Sequence, residues 1–143
     1  MIRLLIADDH ELVRCGLRAV LEAEPDIEVV AEAADGVEAV ELAKVTNPDI
    51  VLMDLRMPRM DGVAACAAMG QEVPECRVVV LTSFDDDEDI QDALSSGACS
   101  YLMKGISPEA LVNAVRAVAS GQTILDPGIA GRVLRRVGSG GAV

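Results

Sequence analysis

Several short apolar runs in this sequence end in a polar residue, and uninterrupted runs of this kind are typical of strands buried in a parallel sheet. The runs are Ile2–Ala7 before Asp8 and Asp9, Ile50–Met53 before Asp54, Val78–Leu81 before Thr82, and Tyr101–Met103 before Lys104. Ligands of open α/β sheets bind beyond the carboxyl ends of the strands. The sequence therefore predicts that three carboxylates, a hydroxyl and an ammonium meet at one sheet edge.

Clustered carboxylates repel one another unless a cation separates them. Oxygen ligands of this charge suit a hard divalent ion that keeps some of its water, and Mg²⁺ is the ion of that kind that also accompanies phosphoryl groups. The cluster therefore predicts a Mg²⁺ site with an open position for a phosphoryl group.

Composition limits the class of protein. The chain has 143 residues and is 51% hydrophobic, which is enough for the core of one domain. Its four cysteines show no metal-ligand spacing and are expected to be small buried hydrophobes in a reducing compartment. No apolar stretch approaches the roughly 18 residues of a membrane span, and Met1–Ala7 runs into acids instead of a signal cleavage site. We expect a cytoplasmic protein with no membrane contact.

The net charge differs between the body of the chain and its tail. The net charge of −12 argues against direct binding of nucleic acid, which is gripped chiefly by Lys and Arg. Residues 1–121 carry −14 and residues 122–143 carry +2. We expect one domain over 1–121, followed by a linker with a short amphipathic helix at about 127–137 and a glycine-rich end.

Strand-like and helix-like segments alternate along residues 1–121. The predicted strands are Ile2–Ala7, Ile27–Ala31, Ile50–Met53, Arg77–Leu81 and Ser100–Met103. The predicted helices follow Asp9 as far as Pro25, follow Asp35 as far as Asn47, run from Asp61 to Gly70, span about 86–96, and follow the N-cap Ser107 as far as Gly121. Five strands alternating with five helices predict a doubly wound α/β parallel sheet with right-handed crossovers.

Apolar spacing predicts the inward faces of these helices. The first helix has its apolar residues at helical spacing at Leu12, Val13, Gly16, Leu17, Val20 and Leu21. The last helix has Pro108 at its first position and a stripe formed by Leu111, Val112, Val115, Val118 and Ala119.

Four motifs, in order and in spacing, resemble the receiver domains of bacterial two-component response regulators. They are Asp8-Asp9, then Asp54-Leu-Arg-Met-Pro-Arg-Met-Asp-Gly62, then Leu81-Thr82-Ser83, and then Tyr101-Leu-Met-Lys104. The resemblance covers residues 1–121 and implies the flavodoxin-like strand order 2-1-3-4-5.

The resemblance also implies a role for each site residue. Asp54 would be the phosphoacceptor, since a carboxylate that attacks phosphorus forms an acyl phosphate. Asp9, Asp54 and the main-chain carbonyl of Arg56 would bind Mg²⁺ directly, and Asp8 would act through a metal-bound water.

The resemblance also implies two groups that would bind the phosphoryl oxygens. The Lys104 ammonium would act as a point charge, and the Thr82 hydroxyl would donate a hydrogen bond. Tyr101 matches the family's rotameric switch, which turns inward when Thr82 moves toward the phosphoryl group. Phe84 lies where the family tunes the access of hydrolytic water.

Each of these residues also has an ordinary structural explanation. Asp8 and Asp9 could cap a helix and Lys104 could be a solvated lysine, although their joint occurrence at strand ends favours the site. The acidic run at 85–89 is expected to be a solvated helix start, and His10 is expected to point outward and not to be a ligand.

One residue departs from the usual receiver pattern. Gly105 stands where most receivers have a proline after the lysine in a cis peptide bond, so we expect the Lys104–Gly105 bond to be trans. With this feature, the sequence resembles the subfamily whose receivers carry a LuxR-type helix-turn-helix effector. Asp9-His10 and the residues after Gly121 contribute to the same resemblance. No such effector is found in the sequence, so we expect a receiver cut at its linker or a stand-alone receiver.

The sequence therefore predicts a signalling switch and not a dedicated enzyme. The expected partners are a histidine kinase and, after phosphorylation, a second copy of the chain, with DNA reached only through an absent effector domain. A metal-dependent phosphohydrolase is one rival, but such enzymes need an acid where Arg56 stands. A receiver-like interaction module regulated by a ligand or partner instead of phosphate is the other, although it would be expected to lack one site residue.

Overall fold

The apolar runs form a five-stranded parallel sheet in the computed structural model, which describes residues 1–82 and 100–124. The strands are β1 Ile2–Ala7, β2 Ile27–Ala33, β3 Ile50–Asp54, β4 Arg77–Thr82 and β5 Ser100–Met103. Their order is β2-β1-β3-β4-β5, as the resemblance implied. Three strands are longer than predicted: β2 continues to Ala33, and Asp54 and Thr82 are the last residues of β3 and β4 instead of following them.

Four helices flank this sheet in the described residues. They are α1 Glu11–Glu22, α2 Gly36–Thr46, α3 Gly62–Glu72 and α4 Pro108–Ala119. The helix predicted at about 86–96, the acidic run at 85–89 and the tail helix predicted at about 127–137 lie outside the described residues. Among the helices that the structure describes, none has the length and apolar content to span a bilayer.

The core has two layers, one on each face of the sheet. Alternate residues of β1 and β3, such as Leu5 and Met53, pack with α2 and α3, while their neighbours Leu4 and Leu52 pack with α1 and α4. All five residues of β3 are buried, because this central strand is covered on both faces. Helices on both faces explain why the strands read as continuous apolar runs.

Side-chain caps fix the helix starts where the sequence predicts them. Asp35, Asp61 and Ser107 each accept a hydrogen bond from the main-chain N–H three residues later, which satisfies a donor that the helix leaves unpaired. At the other end of α2, Asn47 adopts a left-handed conformation with φ of 50° and stops the helix before Pro48.

Sequence expectations about three helices are wrong in part. In α4, Ala119 of the predicted stripe is exposed, whereas Ala114 is buried. The first half of the predicted α1 stripe is exposed: Leu12 is 85% and Val13 is 39% exposed, because the first turn of α1 follows the carboxyl end of β1, where the sheet stops. Only Leu21 of α1 is fully buried. Gly70 does not end α3, which continues to Glu72 and stops because Val73 precedes a proline, a position that disfavours helical backbone.

The cysteines also differ from their expected role as uniformly buried hydrophobes. Cys66 is buried and Cys76 is half-buried, but Cys15 is exposed on α1. Cys99 lies outside the described residues.

Gly62 is required for the close approach of α3 to the end of β3. A Cβ atom at Gly62 would overlap the main-chain oxygen of Asp54 and lie 2.6 Å from the Leu55 Cα. We expect Gly62→Ala to lower the free energy of unfolding by about 1–3 kcal/mol, as overpacking does. Gly16→Ala is the control, because a Cβ there meets nothing within 4 Å, and it should stabilise α1 by about 0.5–1 kcal/mol. Urea unfolding measures both; equal effects of the two substitutions would contradict this packing role.

Candidate functional site

The strand ends bring the predicted site residues together at one edge of the sheet. Asp54 ends β3 and is paired in register with Leu81, so Thr82 lies one residue beyond it on β4. The Lys104 N–H donates to the Thr82 carbonyl at 2.9 Å, and the Asp8 N–H donates to the Ala33 carbonyl at 3.0 Å. Asp8, Asp54 and Thr82 are buried, which is unusual for such polar residues and typical of a site.

Lys104 connects the two buried carboxylates. Its Nζ lies 3.0 Å from Asp54 Oδ2 and 3.7 Å from Asp8 Oδ2. The second oxygen of Asp54 accepts a hydrogen bond from the Arg56 N–H at 3.3 Å. The ammonium therefore offsets the repulsion between acids that the sheet holds close together.

Burial and charge shift the pKa values of this pair. Burial raises the pKa of Asp54, although the hydrogen bond from Lys104 and its positive charge act in the opposite direction. Burial would lower the pKa of Lys104, but the hydrogen bond to Asp54 and the charges of Asp54, Asp8 and Asp9 outweigh it, so that its pKa is raised. The site therefore holds a lysine that stays charged beside a carboxylate whose charge is costly.

His10 contributes more to the site than the sequence indicated. Its side chain is 67% exposed, as expected, but Nδ1 lies 3.2 Å from Asp8 Oδ1 and 3.0 Å from Asp9 Oδ1. The His10 N–H also donates to Asp8 Oδ1 at 2.8 Å. The main chain at the start of α1 thus fixes the orientation of the Asp8 carboxylate.

Arg14 is a residue of the site region that the sequence reasoning missed. Its Nη1 donates to the Asp8 carbonyl at 2.6 Å, and its Nε lies 3.3 Å from Glu32 Oε1 on β2. The side chain is 16% exposed, so α1 supports the main chain of Asp8 through a largely buried guanidinium. An arginine five residues after an acid pair, on the inward side of a helix, was the available signal.

Of the remaining predicted residues, the structure describes Arg56 and Tyr101. Arg56 is the second residue after Asp54 and is exposed, and Tyr101 is 7% exposed on β5 within the core. No described peptide bond is cis, so the Lys104–Gly105 bond is trans as expected. Phe84 lies outside the described residues.

The donor set of this edge fits a hard divalent cation. One ligand atom from each of Asp8, Asp9, His10 and Asp54 can be chosen so that all lie within 4.8 Å of one another. Three of these ligands are carboxylate oxygens, which Mg²⁺ prefers, and the carboxylates of Asp8 and Asp54 gain from any added positive charge. The residues present are therefore compatible with a bound metal ion.

Comparison with known proteins agrees with this fold. The response regulator receiver domain model matches residues 4–116. The chain is 47% identical over 137 residues to the transcriptional regulatory protein LiaR of Bacillus subtilis, covering 96% of this chain and 65% of LiaR. It is 39% identical over 136 residues to the response regulator protein VraR of Staphylococcus aureus, covering 95% of this chain and 65% of VraR.

A solved structure gives the same result. The crystal structure of a LuxR-family two-component response regulator from Aurantimonas sp. SI85-9A1 superposes with a TM-score of 0.86 at 36% identity, covering 94% of this chain and 96% of that one. This chain belongs to the response regulator receiver domain family. It spans less than two thirds of the length of the two curated relatives. The similarity to the LuxR-family regulator from Aurantimonas confirms the resemblance to that subfamily.

The raised pKa of Asp54 predicts an effect on stability. Ionising this carboxyl costs folding free energy, and the cost is present above its folded pKa and absent below its unfolded pKa. Without metal at neutral pH, Asp54→Asn should therefore melt at a higher temperature than the wild type. The difference should shrink as pH falls through the folded pKa of Asp54; a constant difference across calorimetric scans from pH 8 to 4 would contradict this assignment.

Proposed function

We propose that this chain is the phosphorylatable receiver of a two-component system, which accepts a phosphoryl group on Asp54 from a histidine kinase. In this reaction an Asp54 oxygen attacks phosphorus, an acyl phosphate forms, and the P–N bond to the kinase imidazole breaks with its electron pair leaving on nitrogen. The observation that carries the proposal is the buried Asp54 carboxylate, held 3.0 Å from the Lys104 ammonium beside a second buried acid.

The remaining site residues receive roles in the same proposal. Mg²⁺ would be held by Asp8, Asp9, Asp54 and the main-chain carbonyl of Arg56. When bound, it would supply positive charge to the transferring phosphoryl oxygens. Lys104 would move its ammonium from the carboxylate to a phosphoryl oxygen, and the Thr82 hydroxyl would donate to another. Because burial raises the pKa of Asp54, these cations also keep the nucleophile ionised.

The proposal also includes a change of the protein surface after phosphorylation, which it assigns to Thr82 and Tyr101. Both are buried in this structure, Thr82 at 3% and Tyr101 at 7% exposure. Movement of Thr82 toward a phosphoryl group would change the space available to the tyrosine ring on the neighbouring strand β5, and ring and strand together would alter the outer surface.

The proposed output is control of transcription through an effector domain. The relatives named as transcriptional regulators are longer than this chain, which supports an arrangement in which residues 1–121 are the receiver and residues 122–143 lead to an effector. An interaction module regulated by a ligand is the alternative, but the presence of all five polar site residues with the lysine contact favours phosphorylation.

Phosphorylation of Asp54 is tested directly with a small phosphodonor. Acetyl phosphate with Mg²⁺ should add the mass of one phosphoryl group to the wild type, because the donor supplies an activated phosphoryl group to a positioned nucleophile. Asp54→Asn should show no addition, whereas Glu11→Gln, which removes an exposed acid at the start of α1, should label normally. Intact mass spectrometry makes the measurement, and a labelled Asn variant would end this assignment.

Assembly of two receivers after phosphorylation is the second part of the proposal. Two large apolar side chains, Leu12 and Val13, are exposed at the start of α1 beside the site, which supports a contact surface there. Beryllofluoride with Mg²⁺ should shift the wild type from monomer toward dimer in sedimentation, and Leu12→Ser should weaken that shift.

Asp54→Asn is the control for this experiment, since it should remain monomeric with and without beryllofluoride. Coupling requires different contact energy in the two states. Equal sedimentation of the wild type in both conditions would therefore overturn phosphorylation-dependent assembly of this chain.

A further inference from the structure

The loop between β3 and α3, residues 55–61, carries the main-chain carbonyl that the proposed function assigns to the metal. Its first part is anchored in the core, because Leu55 and Met57 are buried. Its end is closed by the Gly62 N–H, which donates to the Leu55 carbonyl at 2.8 Å. Between these anchors, the turn at residues 58–60 has its own hydrogen bond, from the Met60 N–H to the Pro58 carbonyl at 2.7 Å, and a further support from Arg59.

Arg59 provides that support by reaching across to α2. Its Nε lies 2.9 Å from Asp35 Oδ2 and its Nη2 lies 3.1 Å from Asp35 Oδ1, which is a bidentate pair. We call this pair the Asp35–Arg59 clasp. Asp35 is itself rigid, because it caps α2 by accepting from the Glu38 N–H at 2.9 Å, and Glu38 in turn accepts from the Ala34 N–H at 3.2 Å.

Two backbone features show that the turn is tightly constrained at the clasp. Arg59 has a φ of 65°, a left-handed conformation that is uncommon for a residue with a side chain. Next to it, a Cβ atom at Gly36 would overlap the main-chain oxygen of Met60, so the loop lies directly on the first residue of α2. A strained conformation persists only where the surroundings impose it.

We propose that Arg59 is a positioning residue for the metal site: the Asp35–Arg59 clasp fixes the 55–61 loop against α2 and so fixes the Arg56 carbonyl beside Asp54. This inference rests on the proposed function for the role of that carbonyl. The ordinary alternative is a surface ion pair without consequence, since the Arg59 side chain is 60% exposed and exposed pairs add little to global stability.

A positioning role for the clasp and an ordinary surface ion pair predict different effects of substitution. A surface pair affects neither metal affinity nor the loop, whereas the clasp affects both and leaves global stability almost unchanged. Arg59→Gly removes the pair and suits the positive φ, so it does not add strain. Asp35→Asn keeps an oxygen to cap α2 but loses the charge, and Arg59→Lys keeps the charge but not the two-pronged contact.

Mg²⁺ affinity, measured by calorimetry on the whole chain, is the first readout. We expect Arg59→Gly and Asp35→Asn each to weaken the Mg²⁺ Kd about tenfold, the lower end of the cost of losing a contact that orients metal ligands. Arg59→Lys should fall between these variants and the wild type. The double variant should be no weaker than the worse single variant, because both substitutions break the same contact.

Asp26→Asn is the matched control. Asp26 accepts a bidentate contact from Arg116, at 3.0 and 2.9 Å, with the same geometry as the clasp but outside the site region. Its substitution should leave the Mg²⁺ Kd unchanged. Equal Kd values for Arg59→Gly and the wild type would overturn the inference.

Amide hydrogen exchange in metal-free protein is the second readout, and it separates this inference from the proposed function. The Gly62 amide, which closes the loop, should exchange faster in Arg59→Gly than in the wild type or in Asp26→Asn. Failure of the wild type to bind Mg²⁺ would overturn the proposed function and the role of the clasp in the metal site, but not its role in fixing the loop. Unchanged exchange of the Gly62 amide in Arg59→Gly would overturn the clasp, whatever the metal affinity of the wild type.

Discussion

The ion pair between Lys104 and Asp54 is the interaction on which the whole site depends. Asp8 and Asp54 are both buried, and two ionised carboxylates held close together at one edge would repel each other and favour protonation. The Lys104 ammonium lies within 4 Å of both and makes their charge tolerable in the absence of metal. A phosphoryl group and its cation would replace this arrangement with a similar balance of charge. The resting site therefore already has the electrostatics that the proposed reaction requires.

The parallel sheet makes this ion pair possible because it delivers each group from a different strand to the same edge. Asp54 is in register with Leu81, and Thr82 is in register with Met103, so Lys104 follows directly beyond the end of β5. A slip of one residue in any strand would turn its side chains to the opposite face of the sheet. The two apolar layers that cover β3 specify the register, and so the core determines the geometry of the site without contributing a polar atom to it.

The features that the sequence predicted depend on local patterns, and the features it missed depend on distant partners. Buried strands, the caps at Asp35, Asp61 and Ser107, and the strand-end acids are all visible as short motifs, and all are found in the structure. The exposed start of α1 was mispredicted because helical spacing alone cannot tell where the sheet beneath a helix ends. The fourth predicted helix, at about 86–96, lies outside the described residues and remains a prediction.

The missed site residues are arginines that contact partners on other elements of the fold. Arg14 contacts the Asp8 carbonyl and Glu32, and Arg59 contacts Asp35, which is 24 residues away. Long side chains of this kind have no periodic signature, since many positions on a helix or loop could direct them to the same target. The two arginines support the site region from opposite layers: Arg14 holds the main chain of Asp8 through α1, and Arg59 holds the 55–61 loop through α2. Arg14 is largely buried, where losing a partner is costly, while Arg59 is exposed and its pair is cheap to break. The α2 side is therefore the support that a small substitution can loosen without unfolding the domain.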